Sequence, residues 1–489
     1  MSESVASADR QIARAAGVVM SGFVLSSLTG LVSQILITRE FGTSAELDAF
    51  VAGNRVPETI FNLIAGGALA SAFLPTLTGF LTRDDHAGGW RLTSAVANLV
   101  IVILGLVSLL ASAAAPWLVR TILVPGFEDP QQIQLTVSLL RTMLLSPTIF
   151  GVSGLLMATL NAHQHFALPA LAPASYRIGL ILGVVVLVPR IGIHGLAWGT
   201  VLGAVLHLSV QIPALVRRKP HYYPSLGLRM PAVREVGRLM APRLLGVAVV
   251  QLNFWVNTMI ASGQPEGSLT ALNFAFLLMI MPQAAIAQAT AIAALPTFST
   301  QYAQGKLDQM RASLVNTLRG VIFLALPASL GLILLRRPIV GLLFERGAFD
   351  AQSTDQVAWA LLWWAAGLVG HSVFEIVVRA FFAMHDTRTP VAVGALMMSL
   401  NVVFSIAFSA FFERIGWMPH GGLALANSLA TALECVVLLW LLSKRLEGLD
   451  LTRIRPGLIS TAGGTATMSL ALLGWSTVMS GWSNLVIGA

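Results

Sequence analysis

Charged residues are scarce in this sequence: Asp, Glu, Lys and Arg make up 11% of its 489 residues, whereas soluble domains contain about 25%. Hydrophobic residues make up 56%, and the mean hydropathy is +0.78. A chain this apolar cannot cover a globular surface with polar groups, so lipid must solvate most of it. The composition excludes a soluble protein and predicts a membrane protein with many spans.

Cysteine is nearly absent, and the motifs of common enzymes are missing. The single cysteine, Cys435, lies in an apolar segment beside Glu434, which excludes a disulfide framework and a thiolate metal site. His163 and His165 flank a turn without a third ligand. No Walker A sequence, nucleophile elbow or HExxH sequence occurs. We therefore expect no enzyme, no cofactor and no metal, and we expect any transport to be driven by the membrane potential or an ion gradient.

Thirteen apolar segments are each long enough to cross a bilayer as a helix. They predict an all-α, polytopic fold. Their approximate limits are 15–38, 46–80, 92–115, 132–160, 166–189, 192–216, 240–261, 267–299, 312–335, 354–383, 388–412, 419–443 and 457–480.

The placement of lysine indicates the orientation of the chain. All three lysines, Lys219, Lys306 and Lys444, fall in cytoplasmic loops if the N-terminus is cytoplasmic, which agrees with the positive-inside rule. The same rule explains the net charge of +8 without a nucleic-acid partner. The basic residues on the opposite side are fewer, chiefly Arg120, Arg190, Arg336, Arg337, Arg346 and Arg414.

Several short motifs recur at nearly one spacing. LPT at 74–76 recurs at 295–297, His163 recurs as His385, and GLAWGTVLGA from Gly195 recurs as GLALANSLAT from Gly422. This repeat predicts a six-helix lobe at 1–216, a cytoplasmic linker at 217–239, a second six-helix lobe at 240–445 and an extra helical region at 446–489. In the linker, the amphipathic stretch PAVREVGRLMAPR predicts a short interfacial helix. Two lobes of the same orientation around a cavity are typical of transporters.

The order of the polar motifs resembles one family. The motifs are Phe41-Gly42, Asp48-Ala49-Phe50, Pro57, Gly67-Ala68, Ala72-Phe73, Pro75, Pro125-Gly126-Phe127, Asn161 with Phe166, Pro169 and Pro173, and the stretch RAFFAMHDTRTP at 379–390. Together they resemble the MurJ/MviN family, the lipid II flippases of the MOP exporter superfamily. The resemblance implies a MOP/MATE-like fold of fourteen helices, with two six-helix lobes and a terminal pair. This sequence shows one clear helix after the second lobe, so we expect one or two further C-terminal helices. It also implies a place in the bacterial inner membrane, a role in peptidoglycan biosynthesis and cell shape, and possible contact with the cell-wall synthesis machinery.

The chain departs from this family in its cavity charges. The resemblance implies arginines that meet the anionic pyrophosphate of the substrate, but the matching positions hold Ser33, Gln34, Phe61 or Asn62, and Leu277. The charged residues that remain are therefore the candidates for substrate binding: Arg39, Asp48, Arg55 and Arg177.

Arg55 is the strongest of these candidates because an arginine fork donates paired hydrogen bonds to phosphate oxygens. It follows Asp48 by seven residues, so both side chains can face one side of a helix. A structural ion pair near a helix end explains the same spacing equally well. Arg177 is either a second cavity cation or a side chain that reaches the membrane interface.

Three further ionisable residues lie within predicted spans, where charge is costly and marks candidate functional sites. Glu375 and Arg379 are four residues apart and can pair along one helix face, and Glu434 is isolated. They are candidates for ion coupling, although a purely structural pair explains the first two.

Three functions are open on these grounds. The first is a flippase that moves lipid II from the cytoplasmic to the outer leaflet by alternating access. The second is a related exporter of another lipid-linked glycan or of cationic drugs; a drug cation would favour cavity acids such as Glu375 or Glu434 over cavity arginines. The third is a membrane scaffold in envelope assembly that transports nothing, which the missing cavity arginines suggest.

Overall fold

The computed structural model describes residues 2–64, 68–449, 461–472 and 474 of the chain. These residues form helices joined by short turns, so the predicted all-α fold is confirmed. The helices are α1 (Ser2–Phe41), α2 (Ala45–Ile64), α3 (Ala68–Leu81), α4 (His86–Ala113), α5 (Ala115–Leu118), α6 (Pro130–Met143), α7 (Ser146–Ala162), α8 (Ala167–Leu182), α9 (Val188–Ile191), α10 (His194–Ser209), α11 (Ile212–Val216), α12 (Pro231–Ser262), α13 (Ser268–Gln283), α14 (Ala289–Ala303), α15 (Leu307–Phe344), α16 (Ala351–Ala366), α17 (Leu368–Ala383), α18 (Arg388–Arg414) and α19 (His420–Arg445).

Most of these helices are long and apolar because each must satisfy its backbone internally and present hydrocarbon to lipid. Nine spans within the described part of the chain meet the length and hydropathy expected of a membrane crossing. A tenth is the pair α16 and α17, which is bent by 45°. These ten spans confirm the predicted segments from 92–115 to 419–443. The other three predicted segments, 15–38, 46–80 and 457–480, each include residues whose backbone or side chains lie outside the described part of the chain.

The internal repeat is visible in where helices begin. Ala289, the first residue of α14, lies 221 residues after Ala68, the first residue of α3. The same interval separates the starts of α4 and α15, of α6 and α16, and of α8 and α18. Because turns as well as apolar stretches recur at this interval, the two halves share one helix order.

The chain divides into two compact units. Unit 1 comprises Met1–Gly263 with Arg346–Ala348, and unit 2 comprises Gln264–Glu345 with Phe349–Ala489. Helix α12 follows the linker, yet it packs on α2 and α3 and belongs to unit 1. The lobe limits of 1–216 and 240–445 were predicted from the repeat in the sequence, not from packing, and they stay a prediction.

Glycines set the closest helix packing in unit 1, where α8 and its π-helical extension, Gly183–Leu187, lie against α10. A Cβ on Gly179 would lie 2.2 Å from the Cα of Gly203, and one on Gly183 would lie 2.6 Å from the Cα of Gly199. Neither distance is compatible with a side chain. Small residues allow such backbone contact between membrane helices, where dispersion replaces the hydrophobic effect as the driving force.

The linker is held against α4. The side chain of Asn98 donates to the carbonyl oxygens of Tyr223 (3.3 Å) and Ser225 (2.9 Å), and the Tyr223 amide donates to the Ser94 hydroxyl at 3.1 Å. The stretch expected to form a separate interfacial helix is instead the beginning of α12, which runs without a break from Pro231 to Ser262. The irregular part of the linker therefore ends at Met230.

In unit 2, the motif DTRTP forms a capped turn between α17 and α18. The Asp386 carboxylate accepts from the amides of Arg388 and Thr389, each at 3.0 Å, and from the Thr389 hydroxyl at 2.6 Å. Arg445, in the last turn of α19, pairs with Asp386 and donates to Thr389 at 2.9 Å. Burial alone would raise the pKa of Asp386, but the bonds from Thr389 and the contact with Arg445 lower it below its usual value.

Substituting Asp386 with asparagine is expected to destabilise the protein by about 1–2 kcal/mol at neutral pH, because asparagine keeps the cap but loses the charge that pairs with Arg445. The depressed pKa means that this stabilisation is complete above the unfolded value of about 3.9 and is lost as the pH falls through the folded value. The difference in melting temperature between wild type and Asp386→Asn should therefore shrink below about pH 4.

The matched control is Asp355→Asn, which removes an exposed ion pair to Arg337 at 2.8 Å. Exposed pairs contribute little to stability, so this variant should melt close to wild type at every pH. A penalty for Asp386→Asn that stays constant down to pH 3 would contradict a role for its charge.

Candidate substrate site

Arg55 lies midway along α2 and is largely enclosed within unit 1, its side chain being 12% exposed. Its Nη1 pairs with the Glu58 carboxylate at 3.2 Å, and its Nε donates to the Thr258 hydroxyl on α12 at 3.0 Å. The guanidinium also lies 5.5 Å from the centre of the Phe254 ring, a cation–π distance. Three kinds of contact therefore fix the position of this positive charge.

A second set of polar contacts keeps α2 and α12 in register next to Arg55. The Thr59 hydroxyl is shared between the Arg55 carbonyl (2.7 Å) and the Gln251 side-chain oxygen (3.3 Å). The Trp255 indole N–H donates to the same hydroxyl at 2.7 Å. Polar groups of this kind order helix pairs where the surrounding medium is hydrocarbon.

Arg177 lies on α8, next to Tyr176 in sequence. Its guanidinium lies 5.5 Å from the centre of the Tyr176 ring, and its Nε lies 3.5 Å from the position of a Cβ on Gly30 of α1. Arg55, Glu58 and Arg177 therefore all belong to unit 1, and together they carry one net positive charge.

Arg55 forms an ion pair with Glu58, a residue that the sequence did not single out. Asp48 is buried, 3% exposed, near the start of α2, about 10 Å along the helix axis from Arg55. Glu58 is one turn away and forms the ion pair, because a shorter separation along the axis suits the reach of the two side chains. The pairing of Arg55 with Asp48 stays a prediction.

Arg39 occupies a different position. It lies in the last turn of α1 with an exposed side chain, and its carbonyl oxygen accepts from the Ala348 amide at 2.8 Å. The distance along α2 from its start to Arg55 is about 15 Å. Arg39 therefore lies at the end of α1, whereas Arg55 and Arg177 lie within α2 and α8.

The candidates for ion coupling are all in unit 2. Glu375 and Arg379 form the expected pair along α17 at 3.5 Å, with side chains 18% and 26% exposed. Glu434 is 5% exposed on α19. Its Oε1 lies 3.0 Å from the position that a Cβ on Gly394 would take, so glycine on α18 makes room for this carboxyl group.

One buried polar group was not identified from the sequence. His207 on α10, 7% exposed, hydrogen-bonds to the Ser153 hydroxyl at 2.7 Å, and Gln211 donates to that hydroxyl at 2.7 Å. The signal for it was the repeat, since aligning GLAWGTVLGA with GLALANSLAT places His207 opposite Glu434. No group of three or more His, Cys, Asp or Glu side chains in the described ranges is arranged to hold a metal ion.

The whole sequence is similar to the sequences of one protein family. The family model described as "Lipid II flippase MurJ" matches residues 37–487. The lipid II flippase MurJ of Burkholderia cenocepacia is 31% identical over 480 residues, which are 95% of this chain and 90% of that protein. The probable lipid II flippase MurJ of Vibrio cholerae is 29% identical over 86% of this chain and 81% of its own.

Solved structures show the same fold. A lipid II flippase MurJ in an inward closed conformation superposes with a TM-score of 0.80 at 22% identity, covering 93% of this chain and 92% of that one. An inward-facing MATE family multidrug transporter of the MOP superfamily gives a TM-score of 0.73 at 15% identity, covering 87% and 96%. The MOP/MATE-like architecture expected from the sequence is confirmed.

Proposed function

Because the chain belongs to the MurJ family of lipid II flippases, we propose that it moves lipid II across the membrane by alternating access, using the charges around Arg55. The match of the family model over residues 37–487 carries the assignment of lipid II as cargo. The family is one of multi-pass transporters of the bacterial inner membrane rather than enzymes, and the substrate is a lipid-linked molecule within the bilayer. Contact with the cell-wall synthesis machinery stays a prediction.

The charges of unit 1 support a role in holding pyrophosphate. Arg55 is paired with Glu58, whose side chain is 41% exposed, so an arriving phosphate reaches the guanidinium by displacing an accessible carboxylate. A phosphate binds such a fork through two parallel charge-assisted bonds. Arg177 supplies the second positive charge of the region, and Arg39 and Asp48 complete the predicted set of substrate-binding residues.

The membrane potential suits this cargo as a driving force. Moving one elementary charge across 100 mV is worth about 2.3 kcal/mol, and an anionic headgroup that leaves a negative interior gains this energy. An ion gradient is the alternative, for which Glu375 with Arg379, and Glu434, are the candidate coupling groups. The buried position of Glu434 and the room left for it at Gly394 support that role.

Binding to purified protein tests the cargo directly. Native mass spectrometry should show retention of lipid II in preference to polyprenyl monophosphate lipids and to phosphatidylcholine. The expected preference arises because only lipid II offers both a pyrophosphate for the arginines and a sugar headgroup. Equal retention of all three lipids would contradict lipid II as the cargo.

The proposed orientation places the N-terminus and the linker in the cytoplasm. Chemical labelling checks it, since a Cys435→Ala background removes the single, buried cysteine. In spheroplasts, a membrane-impermeant maleimide should label Glu128→Cys, in the loop before α6. It should label Tyr222→Cys, whose parent side chain is 67% exposed in the linker, only after permeabilisation. The reverse pattern would invert the topology.

A further inference from the structure

A pocket of about 500 Å³ opens on unit 1 between α6 and the segment 115–123, which holds α5 and the π-helical turn after it. Its lining includes neither Arg55 nor Arg177. Two arginines and three polar side chains lie in its wall beside apolar residues. The principal lining residues are Arg120, Gln134, Ser138, Arg141, Thr142 and Pro116.

The pocket carries positive charge without a counter-charge. Arg141 donates from Nε to the carbonyl oxygen of Ser112 at 3.1 Å. This bond orients the guanidinium and does not use its Nη groups. Neither Arg120 nor Arg141 pairs with a carboxylate among the residues that the structure describes. Two guanidinium groups in one concave wall repel each other, and an anion between them relieves that repulsion.

The surroundings of the pocket select a lipid rather than a soluble anion. Trp117, adjacent to the lining residue Pro116, is 59% exposed, and Leu109 and Leu110 at the end of α4 are 66% and 59% exposed. Exposed leucines on a spanning helix face hydrocarbon, and tryptophan is enriched at the level of the headgroups. The mouth of the pocket is therefore bordered by surface that acyl chains cover.

The position along α4 assigns the leaflet. Asn98, which binds the linker, and Ser112, which binds Arg141, are separated by about 21 Å along the helix. The pocket thus lies towards the opposite face of the membrane from the linker. In the orientation proposed above, that face is the outer one.

We propose that Arg120 and Arg141 bind the phosphate of an anionic phospholipid headgroup in this pocket, in the outer leaflet. Arginine forks match phosphate geometry, and Gln134 and Thr142 are placed to bond the hydroxyl or ester groups of a glycerol headgroup. The Ser138 hydroxyl is fixed by a 3.1 Å hydrogen bond with Nε2 of His194. The site is independent of lipid II transport and does not rest on it.

Native mass spectrometry of the full-length protein tests this site with dioleoyl-phosphatidylglycerol and dioleoyl-phosphatidylcholine as probes. The double variant Arg120→Gln/Arg141→Gln should bind phosphatidylglycerol about tenfold more weakly, because it loses the charge-assisted bonds to the lipid phosphate. Phosphatidylcholine binding should not change. Arg120→Lys/Arg141→Lys keeps the charge but loses the planar fork, so it should give an intermediate loss.

The control Arg190→Gln/Arg414→Gln removes the same charge from two exposed arginines outside the pocket and should bind both lipids as wild type does. Unchanged phosphatidylglycerol binding in the Arg120→Gln/Arg141→Gln protein would overturn the proposal. A competition result would also overturn it: millimolar inorganic phosphate displaces the lipid from wild type and binds wild type but not this variant. The pocket would then be a site for a free anion rather than for a lipid. Equal melting temperatures of Arg120→Gln/Arg141→Gln and of the control Arg190→Gln/Arg414→Gln would show that the loss of lipid binding does not come from a loss of folding.

Discussion

Replacing Arg55 with alanine is expected to abolish rescue of cells depleted of their own lipid II flippase, while the protein still reaches the membrane. Alanine removes the fork that binds phosphate, and charge-assisted bonds of about 1.5–3 kcal/mol each are lost. Two such bonds correspond to transport slowed by about a hundredfold or more. Colony formation on depletion medium, with membrane abundance measured by immunoblot, reports the result.

Three control variants separate substrate binding from structure. Arg55→Lys keeps the charge and should rescue partially, since lysine binds phosphate as a point charge. Glu58→Gln removes the ion pair at 3.2 Å but leaves the guanidinium, so it should rescue. Arg190→Ala removes an exposed arginine whose Nη1 bonds only a carbonyl of its own helix turn and should behave as wild type. Full rescue by Arg55→Ala would remove Arg55 from the transport mechanism.

Substituting Gly179 with leucine should prevent stable folding of unit 1. A Cβ there already lies 2.2 Å from the Cα of Gly203, and backbone on both sides leaves no flexible group to move aside. Forcing α8 and α10 apart breaks the neighbouring contact of Gly183 with Gly199 as well. Overpacking of one site costs about 1–3 kcal/mol, and a continuous seam multiplies that cost, so we expect loss of monodisperse protein in detergent.

Gly105→Leu is the matched control, because nothing lies within 4 Å of a Cβ at Gly105 on α4. This variant should elute and melt as wild type does, or slightly more stably, since glycine is the poorer helix former. Size-exclusion chromatography with fluorescence detection over a temperature series compares the two. A Gly179→Leu protein that melts with wild type would mean that the helices separate at little cost.

Much of the fold could be predicted from the sequence because a bilayer imposes length and polarity on every span. The ten central spans follow from that constraint, whereas the repeat was predicted from recurring motifs, and its interval of 221 residues recurs in the helix starts. The break between α16 and α17 was missed, since a 45° bend at Gly367 leaves the hydropathy unchanged. The continuity of α12 was missed because its charged beginning resembles a separate amphipathic helix.

The site was predicted less completely than the fold. Charge within a span singled out Arg55 and Arg177, but the partner hydroxyl of Arg55, on Thr258, is 203 residues away in sequence. No helical periodicity reports such a contact. Glu58 lies three residues after Arg55, so a local spacing rule for helices could have identified this ion pair.

The hydrogen bonds that fasten the linker to α4 have a consequence for the integrity of the chain. Residues on both sides of it, through α11 and from α12, belong to unit 1, and its middle is tied down at Ser94 and Asn98. A protease that cuts after the exposed Arg218 would sever the polypeptide without releasing either fragment. Unit 1 would remain folded, so continuity of the backbone at this point is dispensable for holding α12 in place.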